Sequence, residues 1–443
     1  MTVTSFMGLQ TALRGLLAQQ RALDVTSHNI ANANTVGYSR QEALMGAADA
    51  FEIAGGAVAG GAGAQLGTGV EVTAYRRIRD NFLDLQYRAQ AMRLGGYAAQ
   101  SRSLDQVELA LAEPGENGIA AQLQRFWSGW ADLANAPESA ATRQALVEHS
   151  RSLAQSFAGL DGQLATVSQQ AADEYAAIVG AGGEVEMIAN ELGQLNAAIR
   201  AEITSGSQPN DLLDRRDLLL DRLSELGQVS TADPGDGTLT VSFGDAANPL
   251  VTAAAVDWPQ TLTAPGGKLG ALSALSAPGG TVTAYRTDLN AAVKSLADAV
   301  NAIHNPGGTG TDFFTYTAAS EASTLAVNVT PANVRTSATA SPGANDIALA
   351  IAGLRGGAPD QSYASLVSRI GNDVREALRQ EDNAQRLLDA VADRRDSTAG
   401  VSLDEEMTNL IRFQRGYQAS ARAMSTLDEM LDVLINRTGR VGL

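Results

Sequence analysis

Two heptad registers, one at each end of the chain, constrain this sequence more than anything between them. Phe6, Leu9, Leu13, Leu16, Gln20, Leu23, Ser27 and Ile30 follow one another at alternating steps of three and four residues. Leu410, Phe413, Tyr417, Ser420, Met424, Leu427, Leu431 and Leu434 do the same at the far end. That spacing sets each group on one stripe of an α-helix and predicts that the helix lies along another helix. A fully buried apolar side chain contributes about 1.5–3 kcal/mol. Ordering a residue costs about 1–2 kcal/mol of backbone entropy. A lone pair of terminal helices is therefore marginal. The expectation is ends that are mobile in a free subunit and become ordered when neighbouring copies add apolar surface.

Between the stripes the chain reads as mainly α. Helices are expected over 75–111, around 119–133, over 139–178, over 184–203, from Pro209 to Leu226, over 285–303 and over 362–393, with the last at about 402–437. They would pack as an antiparallel bundle. Residues 55–69 are rich in glycine and alanine and read as a turn-rich segment leading to a strand at Val70–Thr73. Leu239, Val241 and Phe243 alternate as a strand after the turn 233–237, and Pro249 to Thr252 and Thr324 to Val329 are further strand candidates. The domains expected are a terminal coiled coil (1–40 and 400–443), a helical bundle (41–227 and 346–399) and one small mixed α/β insertion, rich in β (228–345). Both termini thus belong to one layer of a nested layout.

Composition narrows the function classes. The net charge is −17, from 32 Lys and Arg against 49 Asp and Glu. This disfavours nucleic acid and anionic membrane surfaces, which require clustered cations. There is no cysteine, so neither disulfides nor thiolate zinc sites hold the fold. No run of eighteen apolar residues could span a membrane, and no classical signal peptide opens the chain. His28, His149 and His304 share no motif, and no metalloprotease helix or nucleophile elbow is present. Asp233 and Asp236 read as a plain turn, and Asp404, Glu405 and Glu406 as acids favoured at a helix start. Nothing argues for an enzyme, and no cofactor or metal is called for.

The two ends carry a family likeness. Asn29 to Gln41 (NIANANTVGYSRQ) follows the first heptad and includes Asn32, Asn34, Thr35, Gly37, Tyr38, Ser39 and Arg40. It resembles the N-terminal signature of the bacterial flagellar axial proteins, the rod, hook and hook-associated proteins. The run from Ser402 to Arg437 looks like their C-terminal end. Pro209 to Leu226 (PNDLLDRRDLLLDRLSEL) is similar to the hook-associated branch rather than to hook or rod proteins. The resemblance implies a structural protein at the junction of hook and filament, assembled by stacking its terminal helices. It implies secretion through the flagellar type III channel. The implied partners are copies of the chain, the hook protein, hook-associated protein 3 (FlgL) and, before secretion, the export chaperone FlgN. Subunit contacts would fall on Phe6, Leu9, Leu13, Leu16, Leu23, Ile30, Leu410, Phe413, Tyr417, Met424, Leu427, Leu431 and Leu434. The chaperone would hold the last four of these. A rod or hook protein, or a secreted adhesin with coiled-coil ends, is the alternative.

Overall fold

The computed structural model describes residues 6–53, 64–116, 118–339 and 341–433. A long helix at each end frames the chain: α1 (Met7–Ala31) and, last in order, α12 (Leu403–Asp432). After α1 a ribbon forms from β1 (Gln41–Ala47) and β4 (Val70–Arg77), antiparallel from Gln41↔Arg77 to Ala47↔Val70, with an irregularity at Leu44/Met45. A smaller hairpin, β2 (Phe51–Ile53) with β3 (Ala64–Leu66), extends from it. Part of the glycine-rich stretch, 54–63, lies outside the described residues.

The body is helical: α2 (Asn81–Leu111), α3 (Ile119–Asn135), α4 (Ala140–Val179), α5 (Glu184–Thr204) and α6 (Asn210–Leu226). The helix expected over 75–111 begins only at Asn81. Residues 75–77 are held in the ribbon by β1, and the Asp80 carboxylate accepts the Phe82 N–H as an N-cap. Next comes an antiparallel sheet of β5 (Val229–Ala232), β6 (Thr240–Phe243), β7 (Val251–Thr252) and β8 (Ala255–Val256) in that spatial order. Then follow α7 (Gly267–Ser276), α8 (Thr281–His304), the two-residue strands β9 (Phe314–Thr315) and β10 (Ala326–Val327) around the turn α9 (Glu321–Thr324), and α10 (Asp346–Ala352). The chain returns along α11 (Ala358–Ala399), which runs antiparallel to α2: Tyr363 meets Glu113 at one end and Arg395 meets Asp84 at the other.

Residues 228–345 do not stand apart from the bundle. Val241, Phe243, Leu289, Phe313 and Val334 belong to the same continuous core as Leu104, Trp127, Leu153, Leu192 and Ile370. Its densest part is aromatic, where Phe126 packs against Trp127, Trp130, Phe313 and Phe314 with ring centroids 4.8–6.4 Å apart. The boundary at 228 therefore marks a change of secondary structure and not a break in packing. No helix among the described residues is long and apolar enough to cross a membrane.

Candidate functional site

The terminal helices meet each other within one chain. A Cβ placed on Gly8 would touch the Leu427 methyls at 3.4 Å, and one on Gly15 would lie 3.1 Å from the Ser420 hydroxyl. One on Gly416 would lie 2.8 Å from the Gln19 side chain. These contacts fix a single antiparallel register. The face of α1 that turns inward is made of small residues, with Ala18, Ala22, Thr26 and Asn29 fully buried. The large stripe read from the sequence lies to its side: Leu9, Leu16, Leu23 and Ile30 are half-buried, while Phe6 and Leu13 are exposed. On α12 the expected stripe does face the partner. Leu410, Phe413, Tyr417, Met424, Leu427 and Leu431 are its half-buried positions, and Leu434 lies outside the described residues. Large side chains of one helix therefore rest on glycine and alanine of the other, a contact that hydrophobic periodicity in α1 does not reveal. The coiled coil expected of the two ends forms within one chain, and small residues let its backbones approach. The pairing is incomplete. Leu17, Met407, Ile411 and Met430 remain exposed, Ile411 at 46% and Met430 at 52%.

A polar collar joins this pair to the body. Asn29 is buried at its centre. Its amide donates to the Gln41 carbonyl at 2.9 Å and to Glu406 at 3.2 Å, and its oxygen accepts from the Gln41 N–H at 3.0 Å and the Tyr38 hydroxyl at 2.7 Å. Arg40 binds Glu405 at 2.6 Å and Glu406 at 2.8 Å, while its backbone N–H donates to Ala399. The loop between them turns through Asn32, which donates to the His28 carbonyl and accepts from Thr35, and through Gly37 at φ +80°, where glycine is favoured. Asn34 and Val36 line a cleft of ≈ 690 Å³ between this loop, the end of α11 and the start of α12. Burial, then the charges of Asp211, Asp214 and Glu406, push the Tyr38 phenol well above its ordinary range, so it stays a donor.

Below the collar lies a ladder of buried ion pairs on α6. The Ser39 N–H donates to Asp214. Arg77 holds Asp214 at 2.8 Å and Asp217 at 3.0 Å, and Arg88 holds Asp217 at 3.2 Å and Asp221 at 2.8 Å. Arg79 grips Asp84 with two nitrogens, and Arg395 reaches Asp221 at 2.6 Å while stacking 3.9 Å over the Tyr87 ring. Burial alone would raise Asp217, but Arg79, Arg77 and Arg88 outweigh it and hold the carboxyl below its ordinary value. Burial works against the charge of Arg79, yet its hydrogen bond to Asp84 and the charge of Asp217 keep it above its usual range. None of these acids was singled out from the sequence. The available signal was their spacing, since Asp214, Asp217 and Asp221 share one side of α6 away from its leucines. The arrangement ties α2, α6 and α11 together. Among the described residues no cluster of His, Cys, Asp or Glu could hold a metal.

Family models match the chain at both ends and in the body. The model for the flagellar hook-associated protein FlgK helical domain matches residues 104–257. Those for the flagella basal body rod protein and the flagellar basal body rod FlgEFG protein C-terminal region match 9–38 and 395–437. The chain is 30% identical to flagellar hook-associated protein 1 of Bacillus subtilis, over 98% of this chain and 99% of that one. It is 26% identical to the Escherichia coli protein of the same name, over 97% and 99%. The solved structure of the flagellar hook junction protein FlgK from Burkholderia pseudomallei is similar at a TM-score of 0.43 and 22% identity, over 54% of this chain and 47% of that one. With a helix pair at its ends, a collar built from the 29–41 signature and 30% identity to the Bacillus subtilis protein over nearly the whole of both chains, the chain belongs to the flagellar hook-associated protein 1 family, structural components of the bacterial flagellum.

Proposed function

We propose that the chain forms the junction between hook and filament by stacking its terminal helix pair against those of neighbouring copies. Residues 1–40 and 400–443 make the inner layer, 41–227 with 346–399 the next, and 228–345 the outward part of that body. The observation that carries this is the apolar surface left on both paired helices, including Leu13, Leu17, Met407 and Ile411. Isolated helices do not keep such a face in water without a further partner. The partly covered Phe6, Leu9, Leu16, Leu23 and Ile30 extend the same surface. Neighbours at the two ends of the junction are the hook protein and hook-associated protein 3 (FlgL). The chain travels through the type III channel unfolded, and the chaperone FlgN covers Met424, Leu427, Leu431 and Leu434 beforehand.

Met407→Asp with Ile411→Asp tests the stacking. The folded chain is retained, cells carry hooks without filaments, and motility is lost. Normal swimming contradicts the reading. Leu427→Asp with Leu431→Asp should also lose the chaperone in a pull-down, and undiminished capture would exclude that site.

A further inference from the structure

The helix pair carries a charge pattern that no ion pair among the described residues uses. On α12, Arg415 and Arg422 are seven residues apart and share a flank with Glu429, seven residues on, and with Asp404, three turns back. Residues 407–427 contain three arginines and no carboxylate. On α1, Arg14 and Arg21 are also seven apart, and the Gly15–Ser420 and Gln19–Gly416 contacts set them level with this stretch. All five guanidinium groups are exposed. Arg14 donates to Thr68 and Arg412 lies over Phe413, but none has a carboxylate partner among the described residues. Arg40 in the collar and Arg77, Arg79, Arg88 and Arg395 in the ladder below it are all ion-paired. A basic band flanked by acids thus lies open on a chain of net charge −17.

We propose that this flank is a contact between copies of the chain and that its charge order sets their axial stagger. Parallel neighbours with no offset oppose Arg415 to Arg415 and Glu429 to Glu429, which is repulsive. An offset of seven residues still opposes Arg415 to Arg422. An offset of twelve or thirteen residues, about 18–20 Å at about 1.5 Å per residue, brings Arg415 of one copy to within about two residues of Asp404 on the next, and the next copy's Arg415 equally near Glu429 on the first. The second copy is the fitting partner because the same surface then supplies both signs, with exposed Ile411 adding apolar contact. This rests on the self-assembly proposed above and adds the register to it.

The test is self-association of the full chain by sedimentation, together with motility of complemented cells. Arg415→Glu with Arg422→Glu should weaken association by about tenfold or more and stop swimming. Adding Asp404→Arg and Glu429→Arg should restore both, because every copy then carries the reversed pattern. Wild-type association should also weaken as ionic strength rises. A double variant that assembles normally overturns the proposal. So does a fourfold variant that stays as defective as the double one while circular dichroism shows its helices intact. A wild-type chain that never self-associates contradicts stacking itself.

Discussion

Asn29 shows how much one side chain can hold. Its amide closes four hydrogen bonds among the end of α1, the loop that leaves it, the start of β1 and the buried Glu406 of α12. Asn29→Ala strands these partners away from water and should cost about 1–3 kcal/mol. The loss should appear as faster hydrogen exchange in the first turns of α12, with the body unaffected. Asp217 is the second test at this scale. Its folded pKa lies below the ordinary 3.8, so on acidification the unfolded chain takes up the proton first. The stabilisation is complete above the ordinary carboxylate value and is lost as pH falls through the lower, folded one. Asp217→Asn should cost about 3–5 kcal/mol at neutral pH. Urea midpoints should show that difference shrinking as the pH falls below the ordinary carboxylate value; a constant difference would contradict the ion-pair assignment. The signature residues Asn29, Tyr38 and Arg40 were visible in the sequence as a motif. Their bonding was not, because Glu405, Glu406 and Ala399 lie at the far end of the chain and Tyr38 and Gln41 reach Asn29 only when the loop folds back.

Among the elements, α12 was the most legible, since its apolar residues are large and its inward face keeps the period. α1 misled because glycine and alanine, which allow the closest approach, carry little hydrophobic signal. β1 was hidden by helix-favouring residues (QEALMGA) that pair with β4 only through tertiary contact. α7 was hidden by its small residues and short length. Close approach also decides the crossing of α2 with α6. A Cβ on Gly95 would sit 2.2 Å from the Glu225 carbonyl oxygen, and backbone cannot swing aside. Gly95→Ala should therefore destabilise by about 1–3 kcal/mol or more, read from the thermal midpoint. Gly159→Ala, with open space around it, should not. Ala22→Leu should open the seam between the terminal helices and speed proteolysis of α12, leaving the fluorescence of Trp127 and Trp130 unchanged.

The whole molecule is a helical body with one continuous core and a two-helix stalk that has almost none of its own. Among the described residues, α12 buries only Glu406, whereas α3 buries nine residues. The stalk is thus held by close backbone contact and by the collar, and its exposed outer faces are the ones proposed to meet other copies. The mainly α class and the nested ends were readable from pattern alone. The merging of 228–345 into the body was not, since strand propensity says nothing about which core a strand joins. The antiparallel register of the stalk is the claim on which the rest depends. The chain has no cysteine of its own, and a Cβ on Gly15 would lie 3.8 Å from that of Ser420, the separation a disulfide requires. Gly15→Cys with Ser420→Cys should close a disulfide within one chain under mild oxidation of the dilute protein, seen as a non-reducing gel shift without dimer. A chain that stays reduced, or that links only to other copies, would contradict the pairing.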